Sequence, residues 1–386
     1  MGAIMEFPSS TFPFSGSRLE VHYRIVARDE AHARERAHDI CLEQTVEIPD
    51  DIVPAGPIRE HVVGRIESLD SAGHERYRAC ISYAVEVVGP DLMQLLNTVY
   101  GNISLKPGIR LEHLEFPTGL LASFEGPRFG IAGLRRRTGV DGAPLLCSAL
   151  KPMGMPLEGL AQMAHEMALG GIDLIKDDHG IGNQGFSKFE ERVERCVEAV
   201  EQANRLTGQR CVYAPHVTAD GALTLERARM ARRRGAGAIM VTPGLCGITT
   251  MRNVASDPEV DLPILSHPAF SGAQVVSPDH GMTHGVVFGT LQRLAGADTS
   301  IFPNFGGRFS FSREECLDIA RGCTRPLGQV RPIFPTPGGG MSFDRLPGYR
   351  EVFGNDVIYL VGGSLLRRAD DLPGACREFR RLVGRD

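Results

Sequence analysis

Residues 176–179 read Lys-Asp-Asp-His, an amine, two carboxylates and an imidazole in four consecutive positions. They close the segment GGIDLIKDDHG at 170–180, whose short apolar run suits a strand. A period of two then puts Leu174, Lys176 and Asp178 on one face and Asp173, Ile175 and Asp177 on the other. Such a group is either an ion pair or a metal site. Carboxylate oxygens suit Mg²⁺, whereas a neutral lysine amine does not. A Lys176 carbamylated by CO₂ would offer oxygens instead, and with Asp178 and one neighbour would make a three-point site.

Lysine usage gives these residues weight. Of 42 lysines and arginines, only Lys106, Lys151, Lys176 and Lys188 are lysines. Arginine serves wherever a generic positive charge is enough, so a retained lysine is kept for an amine that can lose a proton. Lys151, in ALKPMG, is suited to pairing with an acid, to moving protons at a carbon next to a carbonyl, or to holding an enediolate oxygen. His267, in SHPAFSG, and His216 are each either core imidazoles or groups that bind a substrate oxygen or relay a proton. The glycines of PTPGGGMS (335–342) and LVGGS (360–364) either permit tight turns or present backbone N–H groups to phosphate, and we read them as a phosphate site. FPNFGGRF (302–309) reads as a mobile loop whose cationic Arg308 closes over substrate.

These side chains need a frame. Residues 17–27 alternate as a strand, 29–41 have helical character, 64–70 and 76–88 read as strands, and a helix opens at Pro90 and runs through Val99. That order predicts a small α+β, ferredoxin-like domain over 1–125. Glycines, a proline and three arginines at 126–143 mark a joint. Strands are then expected at 145–150, 172–178, 210–217, 238–243, 262–268, 298–303, 330–336 and 356–363. Helices fit 157–169, 187–206, 222–234, 248–255, 284–295, 312–322, 345–353 and 371–382. Eight βα units predict an α/β fold with a C-terminal TIM (β/α)8 barrel over 126–386. No Gly-x-Gly-x-x-Gly follows the first strand, which argues against a doubly wound sheet. Barrel enzymes carry their chemistry at the C-terminal strand ends. Lys151, Lys176, Asp178, His179, His216, His267, residues 304–308, Gly338–Gly340 and Gly362–Ser364 all fall there.

Composition narrows the class. A net charge of −5 and a pI of about 6.2 fit no nucleic-acid footprint. No 18-residue apolar stretch suggests a membrane span, and MGAIMEFPSS lacks the marks of a signal peptide, so a cytoplasmic protein is expected. Nine scattered cysteines without Cys-x-x-Cys argue against a disulfide framework or a Cys-type structural zinc site.

With these motifs in place, the chain resembles the RuBisCO large-chain superfamily over nearly its whole length. The resemblance is carried, in order, by CLEQT (41–45), YGN (100–102), FEGPRFGI (124–131), ALKP, GGIDLIKDD, PTPGGG and VGGS. It implies an N-terminal α+β domain, a TIM barrel, and a homodimer with shared active sites. It implies Lys176 as the carbamylated lysine, Asp178 as a Mg²⁺ ligand and Lys151 as the catalytic lysine near the enediolate. Glu43 and Asn102 would reach the partner's site, His267 would contact substrate, and Gly339, Gly340, Gly362 and Gly363 would hold phosphate, with Gly338 in place of the phosphate-loop serine.

The departures argue against carboxylation. The second metal carboxylate is His179, which as a nitrogen ligand would favour Mn²⁺ or another divalent ion over Mg²⁺. A second lysine is Met153, the arginine after the barrel histidine is Pro268, and the loop lysine is Arg308. A histidine in the sixth-strand region is replaced near Ile301. The pattern is similar to the RuBisCO-like (form IV) proteins, which enolise phosphorylated keto-sugars or keto-sugar-acids without fixing CO₂. Arg308, suited to a sugar-acid carboxylate, tilts the expectation to 3-oxo-isoapionate 4-phosphate transcarboxylase/hydrolase. The alternatives are 5-methylthioribulose 1-phosphate isomerase, whose thioether Met153 and Phe270 could line, 2,3-diketo-5-methylthiopentyl-1-phosphate enolase, and a non-catalytic regulatory homologue.

Overall fold

The alternation in RLEVHYRIV becomes the first strand of the computed structural model, which describes residues 12–385. In chain order the strands are β1 Arg18–Val26, β2 Arg65–Ser71, β3 Arg76–Ala84, β4 Ile109–Glu115, β5 Leu145–Leu150, β6 Leu174–Asp177, β7 Val212–Ala214, β8 Ile239–Val241, β9 Ile264–Ser266, β10 Gly281–Met282, β11 Thr299–Pro303, β12 Phe334–Gly338 and β13 Ile358–Leu360. They fall in two units. The first comprises the chain up to Phe124 together with Gly272–Val287 and Leu327–Gln329, and the second comprises Glu125–Ser271, Phe288–Pro326 and the chain from Val330 onward. The main break falls between Phe124 and Glu125, and the first unit also takes in two later segments. One of them supplies β10, which pairs parallel to β4 through Gly281 and Arg110.

In the first unit a five-stranded sheet has the order β10-β4-β1-β3-β2. Leu19, Val21, Tyr23 and Ile25 are fully buried on one face of β1, and Glu20, His22 and Arg24 occupy the other. Two helices supply the cover for the apolar face. Glu30–Glu43, capped by Asp29 accepting from the His32 N–H at 2.8 Å, buries Ala33, Ala37 and Ile40. Leu92–Tyr100 buries Leu92, Leu95 and Val99, and the Tyr23 hydroxyl donates to the Val99 carbonyl at 2.6 Å. The third strand stops at Ala84 rather than 88, because Val85–Val88 turns helically before Gly89 at φ +65°.

The second unit is an eight-stranded parallel barrel flanked by helices. Its strands pair as β13-β5-β6-β7 and β8-β9-β11-β12. A bridge between His216 and Met240 joins β7 to β8, and Gly338 of β12 packs closely against Leu360 of β13. The core draws at least one apolar residue from every strand, among them Cys147, Leu174, Ala214, Met240, Leu265, Ile301, Phe334 and Ile358. Counting by twos from these inward residues leads to Lys151, Lys176 and Asp178, His216, Thr242, His267, Gly338 and Gly362. The packing that holds the barrel together thus aims these groups at its mouth. The helix expected over 284–295 is present and runs unbroken to Leu294, but it widens to π-helical geometry over Val286–Thr290 before Leu291–Leu294. Gly289 lies against the Gly322 backbone there, so closely that a Cβ would sit 2.6 Å from the Gly322 Cα.

All nine cysteines are unpaired thiols. Among the described residues no helix is long and apolar enough to cross a membrane.

Candidate active site

Lys176 is only 2% exposed, and its Nζ donates to the Asp177 carbonyl at 3.0 Å. Burial pushes the amine below the ordinary lysine range, with Cys147, Asp178 and Asp177 opposing the shift and Lys151 adding to it. Asp178 lies beside it. Its Oδ1 is 2.7 Å from Lys151 Nζ and 3.5 Å from His179 Nδ1. Burial pushes this carboxyl up, but the His179 and Lys151 contacts and both lysine charges outweigh that and hold it well below the usual carboxylate range. Lys151 also lies near Gly362, where a Cβ would be 3.9 Å from its Cε. One charge-paired cluster therefore joins the ends of β5, β6 and β13.

Asp177 points the other way, as the period of two requires. It is fully buried and accepts from Arg192 Nε at 3.1 Å, the Tyr213 hydroxyl at 2.6 Å and the His216 N–H at 3.0 Å. Arg192, also fully buried, donates further to the Ser187 and Gly182 carbonyls at 2.9 and 2.8 Å. A carboxylate so committed has no spare oxygen for a cation. It fixes the strand end that carries Lys176 and Asp178. Arg192 was not singled out from the sequence, yet it falls on the buried stripe Phe189, Arg192, Val193, Cys196, Val197 of its helix, where an arginine needs a buried partner.

The two barrel histidines differ. His216 is spent within the protein: Nδ1 lies 3.3 Å from the Ile181 carbonyl and Nε2 3.0 Å from Thr242 Oγ1. Burial pushes it down to about 4, so it is neutral. His267 stacks on His179 with ring centroids 4.5 Å apart and planes 15° from parallel. The Ala269 N–H donates to His267 Nδ1 at 3.3 Å, which leaves Nε2 as the protonated nitrogen and a free donor. Burial, then the charges of Lys176, His179 and His216, push His267 down to about 2.

The glycine turns bring backbone donors to the same rim. Gly339 and Gly340 have φ of +76° and +112°, and a Cβ on Gly340 would sit 2.8 Å from the Arg308 nitrogen. No backbone hydrogen bond is donated by Gly339, Gly340, Gly362 or Gly363 within the described residues. Ser364 Oγ donates to the Met341 carbonyl at 2.8 Å and ties the two turns together. Asn304, just beyond β11, is 1% exposed; its N–H donates to the Gly338 carbonyl at 2.8 Å, while both side-chain amide atoms are buried with no hydrogen-bond partner. The sequence placed Asn304 in a rim loop without giving it a role. Arg308 is exposed, with its guanidinium 5.1 Å from the Phe309 ring centroid. In the first unit, Asn102 Nδ2 donates to Glu43 Oε1 at 3.1 Å, and Lys106 Nζ donates to Glu43 Oε2 at 2.9 Å. The two N-terminal candidates are thus neighbours.

Residues 130–307 match the family described as ribulose bisphosphate carboxylase large chain, catalytic domain. The chain is 38% identical to ribulose bisphosphate carboxylase-like protein 1 of Rhodopseudomonas palustris over 94% of its length and 96% of that protein's. It is 37% identical to a 5-methylthioribulose-1-phosphate isomerase of Rhodospirillum rubrum over 94% of its length and 95% of that protein's. The chain belongs to the RuBisCO large-chain superfamily, in its RuBisCO-like (form IV) branch. It is also 30% identical to a 2,3-diketo-5-methylthiopentyl-1-phosphate enolase of Bacillus pumilus, over 95% and 92% of the two chains. A solved RuBisCO-like protein from Rhodopseudomonas palustris superposes with a TM-score of 0.85 at 34% identity, covering 95% of this chain and 97% of that one. The chain is thus an enolising enzyme of the non-carboxylating kind.

The donor set of this RuBisCO-like mouth bears on a resident cation. Among the described residues no trio of His, Cys, Asp and Glu ligand atoms within 4.8 Å of one another occurs there. Asp178 and His179 supply two points, and a third comes only if the buried Lys176 amine carries CO₂. The residues fit a divalent ion on that condition.

Proposed function

We propose that this RuBisCO-like chain isomerises 5-methylthioribulose 1-phosphate through an enediolate. The observation that carries the reading is the neighbourhood of Lys151. Met153, two residues on, is 52% exposed and lies against Gly180, where a Cβ would meet its Cε at 2.7 Å. Phe270, on the loop after His267, is 80% exposed and Phe309 48%. Apolar side chains left open around a charged mouth suit a substrate with a phosphate at one end and a thioether at the other. The 37% identical relative named as this isomerase supports the same reading.

In this reading the substrate phosphate takes the N–H groups of Gly339, Gly340, Gly362 and Gly363, with Gly338 letting the chain approach closely. Carbamylated Lys176, Asp178 and His179 hold Mg²⁺ or Mn²⁺, which when bound polarises the carbonyl oxygen beside the carbon that loses its proton. Lys151, once Asp178 is engaged elsewhere, is released from its ion pair and serves as the base. It takes the proton from carbon, the C–H electron pair moves to form the enediolate, the neighbouring hydroxyl passes its proton to the former carbonyl oxygen, and Lys151 returns the first proton to the adjacent carbon. His267 donates from Nε2 to a substrate oxygen. Glu43 and Asn102 complete the site across a homodimer.

A second reading rests on Arg308, which pairs with no carboxylate among the described residues and could receive that of 3-oxo-isoapionate 4-phosphate. The test is solvent deuterium incorporation with Mg²⁺ and bicarbonate, followed by NMR and mass spectrometry. Its panel holds both substrates, the diketo phosphate and ribulose 1,5-bisphosphate. Isomerised, deuterated product from the methylthio sugar phosphate is expected. Turnover of the sugar-acid phosphate alone would transfer the assignment to the second reading, and carboxylated product from the bisphosphate would overturn both.

A further inference from the structure

We propose that Glu20, His22, Cys80 and Glu115 form a binding site for one thiophilic divalent transition-metal ion, Zn²⁺ in the first place, on the polar face of the first unit's sheet. These residues stand far apart in sequence, and the strand register gathers them. His22 pairs with Cys80 across β1 and β3, and Glu20 pairs with Glu115 across β1 and β4. Residues directly opposite in antiparallel strands share a face. All four side chains therefore lie on the side of β1 away from Leu19, Val21 and Tyr23.

Three of the four ligands already lie close enough together for a small tetrahedral site, and Glu115 adjoins them through His22. Ligand atoms of Glu20, His22 and Cys80 lie within 4.8 Å of one another, the only such group among the described residues. Zinc bonds of about 2.3 Å to sulfur and about 2.0–2.1 Å to nitrogen and oxygen make tetrahedral edges of about 3.5 Å for S···O and about 3.3 Å for N···O. Cys80 Sγ is 3.7 Å from Glu20 Oε2, and His22 Nε2 is 3.1 Å from Glu115 Oε1. Two of the six edges are thus already set, and small rotations of Glu20 and Glu115, both exposed, would close the rest.

The charge balance points the same way. Neither Glu20 nor Glu115 pairs with a lysine or arginine among the described residues. Cys80 is 7% exposed, at the floor of the group, and burial followed by Glu20 pushes its thiol up to about 11. A thiol among carboxylates lacks a cation. A bound ion would supply it, and the Cys80 proton would leave to solvent as the Zn–S bond formed. Sulfur, nitrogen and carboxylate oxygen together select Zn²⁺ or Co²⁺ over Mg²⁺ or Ca²⁺. His113 stands opposite His22, with ring centroids 5.8 Å apart, as an outer partner. The ion would cross-link β3, β1 and β4. The site shares no residue with the barrel mouth.

The test titrates the full-length, metal-stripped protein with Co²⁺ and with Zn²⁺. Expected are a thiolate-to-cobalt charge-transfer band at one ion per chain, and a rise in melting temperature with Zn²⁺. Cys80→Ser should abolish the band, and it and His22→Ala should each weaken Zn²⁺ binding by about 100-fold or more while leaving turnover unchanged. Circular dichroism of the metal-free variants confirms folding, and Glu20→Gln serves if Cys80→Ser does not fold. Absence of the band in the unaltered protein overturns the proposal, as does a band that persists in Cys80→Ser.

Discussion

Lys151 Nζ and Asp178 Oδ1 are 2.7 Å apart, so the lysine proposed as base and a carboxylate proposed to hold the cation occupy a single ion pair. A cation that takes Asp178 through Oδ1 does so by loosening Lys151. Lys151→Met should therefore bind Mg²⁺ more tightly, by about tenfold if the competition is worth about 1.4 kcal/mol. Turnover should fall about 10²–10⁴-fold, the usual worth of a positioned proton carrier. Calorimetric titration in bicarbonate and steady-state kinetics measure the two effects. Unchanged Mg²⁺ affinity would show that the cation does not share Asp178 with the lysine.

Lys176 has an amine below its ordinary range because it is buried. The neutral form is the one that adds CO₂. Activity should rise on incubation with bicarbonate, and ¹³CO₂ should give a carbamate signal in NMR that Lys176→Ala lacks. Lys176→Arg should be as inactive as Lys176→Ala, since a guanidinium forms no carbamate. Full activity in CO₂-free buffer, with no carbamate signal, would remove the third ligand point.

The Asp177–Arg192 pair is fully buried on both sides. Removing one partner leaves an uncompensated charge, which typically costs about 3–5 kcal/mol. Arg192→Leu should lose stability of that order in denaturant titration, and turnover should fall with it because Lys176 and Asp178 flank Asp177. The double variant Asp177→Asn/Arg192→Leu should recover part of the stability. No recovery would mean that the cost is lost packing rather than a stranded charge.

The barrel strands were legible because each carries an inward apolar residue at a period of two, and continuing that count places Lys151, Lys176, Asp178 and His267 at the mouth. The strands themselves are shorter than expected: residues 210–217 reduce to Val212–Ala214, beyond which the pairing continues only as the single His216–Met240 bridge. Asp177 and Asp178 look alike in sequence. Their fates separate only through Arg192 and Tyr213, which the helix and β7 bring to one of them. His216 looked like His267 for the same reason. Cys80, His22 and Glu20 carried no signal at all, because strand register and not spacing unites them.

His216 also sets a pH dependence. Its folded value of about 4 lies below the ordinary imidazole value of 6.5. Between those limits the unfolded chain binds the proton and the folded chain does not, so stability is full above pH 6.5 and is lost as pH falls toward 4. The loss is about 3 kcal/mol at about 1.4 kcal/mol per pH unit. His216→Gln should flatten the slope of melting temperature against pH over that window. An unaltered slope would assign the acid sensitivity to other groups.

Met153 and Arg308 separate the two substrate readings. Met153 is an open apolar surface beside the Lys151–Asp178 cluster, so Met153→Ala should raise KM for 5-methylthioribulose 1-phosphate by about tenfold, as expected for losing about 1–3 kcal/mol of apolar contact. The effect on kcat should be small, because a thioether far from the reacting carbons is held equally in ground and transition states. Arg308→Ala should leave this substrate nearly untouched, since it has no carboxylate for the guanidinium to meet. For a sugar-acid substrate the order reverses: Arg308→Ala should remove a charge-assisted contact and Met153→Ala should do little. Measuring kcat and KM for both variants on both substrates gives four comparisons. If neither variant discriminates, both side chains lie outside the substrate, and the selectivity resides deeper in the mouth, where the buried Asn304 amide has no protein partner.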